Sequence, residues 1–268
     1  PQADKLTRRF GGLVANQDIS VTLERQMIHV LLGPNGAGKS TCINMLSGDL
    51  PPSEGKIHFM GKDITGLSAA QRSQVGIGRS YQRTNIFPQF SVLENVRLAA
   101  QSRRQQPWSI FSKAMEQKWA LEKARACIDE AGLGKRVDWV SGVLSHGEQR
   151  QLEIAMVLAT DAQVLLLDEP LAGMGSEESA SMVEVLKRLR QTRGILLVEH
   201  DMDAVFAVAD MITVMVNGAV LTEGTPEAIA ADPLVIDAVN AQNAETAGYD
   251  QARIDALDQQ WRAEVSAS

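Results

Sequence analysis

The segment Gly33-Pro34-Asn35-Gly36-Ala37-Gly38-Lys39-Ser40 joins an aliphatic run at 27–32 to a helical pattern at 39–47. Those residue types, with a strand before and a helix after, fit a phosphate-binding loop. Glycines let successive backbone N–H groups turn onto phosphate oxygens, and the positive end of the following helix adds to the attraction. Lys39 would place a point charge on the β- and γ-phosphates of ATP. Ser40 would offer a hydroxyl to Mg2+, with Thr41 beside it. The alternative is a chance glycine-rich turn, and the strand–helix setting argues against it.

Two further segments carry chemistry. Val164-Leu165-Leu166-Leu167-Asp168-Glu169 is an apolar run ending in two carboxylates. Paired with an upstream phosphate loop, Asp168 is expected to hold Mg2+ through water, and Glu169 to orient and polarise an attacking water. Taken alone, a strand ending in Asp-Glu is equally a solvated strand end. Leu144-Ser145-His146-Gly147-Glu148-Gln149 places a small hydroxyl and a glycine at a helix start, where they make an anion site for a terminal phosphate. Taken alone, Ser145 is equally the ordinary cap of a helix at 149–158.

The elements that must position these residues follow from the apolar pattern. Short aliphatic runs at 27–32, 164–167 and 195–198 alternate with longer helical patterns, which argues for a mainly parallel sheet covered by helices. Residues 214–216 and 219–221 flank Asn217-Gly218, the turn of a late hairpin. His29 and His58 fall in strand-like runs and are given no role. From about 92 to 134 the chain turns polar and helical. Trp108, Phe111, Met115 and Trp119 recur there at helical spacing, as a packing face or a ligand box. A helical subdomain at 92–140, its last helix running to about 158, is therefore expected to be set into an α/β core made of 1–91 and 141–240. The tail at 241–268 is rich in Ala, Gln, Asp and Glu. Ile254, Leu257, Trp261 and Val265 form one apolar stripe in it, either docked or frayed.

Composition excludes several classes. The chain has 268 residues, 44% of them apolar, enough for a full core with an appended subdomain. Its net charge of −7 leaves no broad basic surface for nucleic acid, and Arg103-Arg104 reads as a solvated helix face. No apolar run approaches the roughly 20 residues of a membrane span. Cys42 and Cys127 lie far apart without metal-ligand spacing, and no secretory signal is visible, so a reduced cytosolic setting is expected.

With these segments in this order, the sequence resembles the ABC ATPase family, whose signature is a Leu-Ser-Gly-Gly-Gln-like stretch opening a helix. His146 and Glu148 depart from its third and fifth positions. The resemblance runs from about Lys5 to Ala238. It implies a P-loop NTPase of ABC type, with a mainly parallel core, an antiparallel β subdomain and an inserted helical subdomain. Gln82, in Tyr81-Gln82-Arg83, matches the glutamine that bridges the Mg2+ site to the helical subdomain. His200 matches the switch histidine at the γ-phosphate. Phe10 stands where the family sets an aromatic ring against adenine, unless it is a core residue. Gly175 replaces the Asp or Asn often found after the catalytic strand.

The stretches Phe10-Gly11-Gly12-Leu13, Gly76-Ile77-Gly78-Arg79, Asn85-Ile86-Phe87 and Gln149-Arg150-Gln151-Leu152-Glu153-Ile154-Ala155 are similar to ATP-binding subunits of branched-chain amino-acid uptake systems. The resemblance implies a head-to-tail dimer of ATP-binding subunits, identical or homologous. ATP would lie between the phosphate loop of one and Ser145, Gly147 and Glu148 of the other. Transmembrane permease subunits would hold the pair to the inner face of the cell membrane, with an extracytoplasmic solute-binding protein acting indirectly. Three rivals remain: an exporter ATPase, a non-transport ABC ATPase of DNA repair or translation, and a nucleotide-regulated assembly component. A GTPase is disfavoured, since no Asn-Lys-x-Asp motif occurs.

Overall fold

The continuous apolar runs become the middle of a sheet buried on both faces. The computed structural model describes residues 1–81, 85–102, 113–199 and 202–235. Gln82, His200, Arg103, Arg104, Trp108, Phe111, the side chain of Met115 and the stripe of Ile254, Leu257, Trp261 and Val265 lie outside the described residues.

The chain opens with β1 (Gln2–Phe10), β2 (Leu13–Thr22), β3 (Ile28–Leu32) and α1 (Lys39–Ser47). It continues through β4 (Glu54–Phe59), β5 (Lys62–Asp63), α2 (Ala69–Val75) and β6 (Ile77–Arg79). Three long helices follow: α3 (Val92–Ser102), α4 (Lys113–Glu130) and α5 (His146–Ala159). Then come β7 (Val164–Asp168), α6 (Ser176–Arg190), β8 (Gly194–Val198) and α7 (Met202–Val208). The described part closes with β9 (Met211–Val216), β10 (Ala219–Gly224) and α8 (Pro226–Ala230).

One sheet runs β10-β9-β3-β8-β7-β6, parallel except for the hairpin partner β10. A second, antiparallel sheet runs β2-β1-β4-β5. Every residue of β3, β7 and β8 is buried. Because side chains alternate across a strand, each central strand feeds two cores. Leu165, Leu167, Ile195 and Leu197 pack toward α3, α4, α5 and α6. Leu166, Leu196 and Val198 pack toward α1 and the antiparallel sheet. Trp119 of α4 lies partly buried against the first of these cores, as a packing residue does.

The helix placed at 149–158 by its apolar pattern in fact begins at His146. Ser145 caps it, accepting from the Glu148 N–H, while the Glu148 carboxylate accepts from the Ser145 N–H at 3.0 Å. This reciprocal cap satisfies N–H groups that the helix itself cannot, and losing its serine costs about 1 kcal/mol. Among the described residues no helix is long and apolar enough to cross a membrane.

Candidate functional site

The loop after β3 owes its path to Gly33. A methyl carbon there would sit 2.0 Å from the Met215 carbonyl oxygen of β9, and its φ of +149° disfavours any other residue. The loop then turns into α1, and Lys39, only 6% exposed, reaches back along it. Its Nζ donates to the carbonyls of Gly33 at 2.6 Å and Pro34 at 3.0 Å. Those two residues therefore anchor the lysine, while Asn35, Gly36, Ala37, Gly38, Lys39, Ser40 and Thr41 line a cleft of about 410 Å³.

Glu169 closes one wall of that cleft. Its φ of +49° is unusual for a residue with a side chain, and its N–H donates to the Val198 carbonyl at 2.9 Å. Backbone of this kind costs energy and persists only where the surrounding structure holds it. Asp168 beside it is buried, and burial pushes its carboxyl up against the opposing pull of the Arg79 guanidinium. Burial likewise pushes the Lys39 ammonium down, while Glu169 and Asp168 hold it up. Lysine and carboxylates thus feel one another across one small volume.

Sequence reading missed several parts of this site. Leu13, Val14 and Ala15 of β2 supply the apolar wall of the cleft, and the Asn217-Gly218 turn its floor. Gly218 donates to the Ala37 carbonyl at 3.1 Å and accepts from the Gln17 N–H at 2.8 Å, so the turn braces the loop. Only the Asn-Gly pair carried a local signal, and that signal named a turn rather than a contact. Phe10 does not line the cleft. Its ring is 46% exposed, with the Arg8 guanidinium 4.7 Å from its centroid, so the core alternative fails. Arg79 was also missed. Its Nη1 donates to Ser47 Oγ at 2.8 Å and Asp49 Oδ2 at 2.7 Å, and its Nη2 lies 3.6 Å from Asp168 Oδ2.

Ser145, Gly147 and Glu148 line a different cleft, of about 530 Å³, bounded by α5, α6 and the turn around Arg136. Glu148 is occupied twice over, by the Ser145 N–H and by Arg136 Nε at 2.7 Å. His146 places Nε2 3.2 Å from the Ala172 carbonyl. Gly175 caps α6 with backbone alone. The two clefts share no lining residue, so one chain holds the phosphate loop and the α5 terminus in separate clefts.

Known proteins resemble this chain along most of its length. The sequence profile of the family described as ABC transporter matches residues 16–172. The high-affinity branched-chain amino acid transport ATP-binding protein LivG of Salmonella typhimurium is 36% identical over 242 residues, 87% of this chain and 94% of that protein. BraF of Pseudomonas aeruginosa, of the same description, is 35% identical over 241 residues, 87% and 94% of the two chains. A nucleoside import ATP-binding protein of Lactococcus lactis is 35% identical over 214 residues, 80% of this chain but 41% of its own. Among solved structures, the ADP conformation of an ATP-binding cassette of an ABC transporter superposes with a TM-score of 0.77 at 28% identity, covering 88% of this chain and 96% of that one. The chain belongs to the ABC transporter family, as an ATP-binding subunit that hydrolyses ATP.

Proposed function

We propose that this chain powers uptake of a small solute, a branched-chain or other amino acid, through separate membrane subunits, and that it works in a head-to-tail pair. The pairing rests on one observation: the phosphate loop with Glu169, and Ser145 with Gly147, occupy clefts that share no residue. A nucleotide held by 33–41 of one subunit is then enclosed by Ser145 and Gly147 of a second, identical or homologous. Closure excludes water and aligns the reacting groups, which is where most of the rate gain arises.

Within that cage, Lys39 compensates phosphate charge and Glu169 orients and polarises the attacking water. Ser40 Oγ and the Asp168 carboxylate are hard oxygen donors, which suit Mg2+ with its retained waters. Bound there, Mg2+ would neutralise charge on the phosphates. Gln82 and His200 are assigned to the metal edge and the γ-phosphate by resemblance. Phe10 is assigned to adenine by the same resemblance; its exposed ring stands outside the lining of the cleft, with the Arg8 guanidinium over it.

An exposed apolar patch supports docking of the membrane subunits. Segments 87–92 and 139–143 run side by side, Ser141 donating to Phe90 O and Gly142 to Pro88 O. They leave Phe87, Phe90, Trp139, Val140 and Val143 open to solvent, Val143 at 67%. A contiguous patch of this kind marks an interaction surface. Arg136 connects it to α5: its guanidinium lies 3.7 Å from the Trp139 ring centroid while its Nε holds Glu148. Such docking puts the chain on the inner face of the cell membrane, with an extracytoplasmic binding protein delivering the solute.

LivG and BraF, matched along 94% of their length, favour an amino acid over the nucleoside of the partly matched importer. Affinity purification from membranes should bring down permease subunits, and deleting the chain should abolish ATP-dependent uptake of an amino acid. Unchanged uptake across an amino-acid panel, with an export defect instead, overturns the reading.

A further inference from the structure

Strand β6 is short, and the register of its last residue decides where a long side chain can reach. Arg79 stands opposite Leu166 of β7, so β6 ends two residues short of Asp168. Alternate side chains of a strand share a face, which puts Leu166 and Asp168 on one side of the sheet. Leu166 packs toward α1 on that side, and Ile77, two residues before Arg79, packs there too. Arg79 therefore lies under α1, with Asp168 about 7 Å further along the strand direction.

The guanidinium spans that gap, its two terminal nitrogens holding different elements. Nη1 donates to Ser47 Oγ at 2.8 Å and Asp49 Oδ2 at 2.7 Å, at the C-terminal end of α1. Nη2 faces Asp168 Oδ2 at 3.6 Å, and among the described residues no other cation lies within ion-pair distance of that carboxylate. The Tyr81 ring covers the guanidinium from 4.8 Å, and the Arg79 side chain is only 9% exposed. Asp49 is itself fixed by the Ser47 hydroxyl at 2.7 Å.

Burying an arginine between two carboxylates is a weak source of stability, because desolvation offsets most of the attraction. What the planar fork offers, and an apolar residue does not, is a fixed spacing between the groups it joins. Helix α1 starts at Lys39 and Ser40, and β7 ends at Asp168. The two oxygen donors assigned to Mg2+ thus stand on two separate elements, and one guanidinium joins those elements.

We propose that Arg79 is a positioning residue for Mg2+: it ties the far end of α1, at Ser47 and Asp49, to Asp168, so that helix and carboxylate keep the separation the metal needs. This rests on the reading of Asp168 as a metal residue.

The test uses the full chain and three readouts: affinity for a fluorescent ADP analogue without metal, Mn2+ binding to the ADP complex by electron paramagnetic resonance, and thermal melting. Arg79→Lys keeps the buried charge, but one ammonium cannot hold Asp49 and Asp168 from two nitrogens. Mn2+ affinity should fall about tenfold, the scale of losing a group that orients a metal ligand, with metal-free ADP affinity within about twofold of the parent. Asp49→Ala removes the anchor on α1 and leaves Arg79 beside Asp168. It should weaken Mn2+ binding in the same direction, and adding it to Arg79→Lys should cost less than about a further twofold, since both break one tie.

Parent-like Mn2+ affinity in folded Arg79→Lys, beside a clear loss in Asp168→Asn, overturns the proposal alone. Parent-like Mn2+ affinity in folded Asp49→Ala overturns the tie to α1. A metal-free ADP affinity that falls as far as the metal affinity also overturns it, marking Arg79 as a prop for the phosphate loop. Parent-like Mn2+ affinity in Asp168→Asn removes Asp168 from the metal, and the role of Arg79 falls with that reading.

Discussion

The Glu178 side chain of α6 lies against Gly147 of α5, so close that a methyl carbon on Gly147 would come within 3.0 Å of both its Cβ and its Cδ. An acid of the same chain thus faces the helix end expected to receive a partner's terminal phosphate. The lack of a side chain at Gly147 allows this approach. Gly147→Ala should leave Mg-ATP affinity of the single subunit unchanged, since that depends on residues 33–41. Hydrolysis should fall about tenfold to a hundredfold, because the added methyl, pressed against Glu178, displaces the helix end from its aligned position. Titration of nucleotide fluorescence beside phosphate release checks both halves of the statement.

Glu178 also gives a pH dependence. The Ser145 hydroxyl and the backbone N–H groups of Gly147 and Gly175 hold its carboxyl below the usual carboxylate range. The folded value lies under the unfolded one, so the ionised contact adds stability above the ordinary Glu range near about 4.3. That contribution disappears as the pH falls through the lower folded value. Glu178→Gln should therefore melt below the parent at neutral pH, with the gap closing in acid. The same variant should pair more readily with Mg-ATP present, because an incoming phosphate no longer meets a like charge. Melting curves across pH and light scattering with Mg-ATP measure the two effects.

The two thiols should be silent in the folded state. Burial pushes Cys42 up to about 12 and Cys127 up to about 11. The thiolate is the reactive form, so labelling between about pH 7 and about pH 8 must wait for local or global opening. Cys42 lies in α1, directly behind the phosphate loop. Mg-ATP should slow labelling of Cys42 more than that of Cys127. Equal protection of the two, read by peptide mass spectrometry, would mark global opening as the route to both thiols, and no protection of Cys42 would place the nucleotide elsewhere.

Much of the core was legible because its pattern is local. The runs around Val30, Leu166 and Leu197 are apolar on both faces of the strand, as strands of a covered parallel sheet are. The phosphate loop announced itself because the chemistry lies in consecutive backbone groups. Illegible were the contacts made across elements. Leu13 and Val14 wall the cleft only because β2 belongs to a second sheet folded over α1. Arg79 reads as one more residue of a short strand, yet it spans from Asp49 to Asp168. The start of α5 moved from Gln149 to His146 because its cap, not its apolar period, sets the first turn.

The apolar patch predicts a separation of functions. Val143→Asp and Phe90→Asp change exposed side chains, so stability and basal hydrolysis of the isolated chain should stay within about twofold of the parent. Co-purification of membrane subunits, and with it uptake, should fail. Intact co-purification with both aspartates present would move the docking surface off 87–92 and 139–143.

Glu169→Gln tests the centre of the mechanism. The substitution keeps the size and hydrogen-bonding reach of the side chain but removes its charge and basicity. The cleft wall and the φ of +49° at this position should survive, since glutamine carries the same backbone strain. Mg-ATP affinity should change little, while hydrolysis should fall about a hundredfold or more, as when a general base is lost. On the proposed pairing, in which hydrolysis separates the two subunits, the variant should accumulate as an ATP-bound dimer, alone or within the membrane complex. Adding Ser145→Arg should block that dimer by filling the space of the partner's terminal phosphate. Lys39→Ala should instead weaken nucleotide binding itself. Light scattering with and without Mg-ATP, beside phosphate release, separates these outcomes. Parent-rate hydrolysis by Glu169→Gln would exclude this carboxylate, and a Ser145→Arg/Glu169→Gln chain that still dimerises with ATP would exclude the shared site.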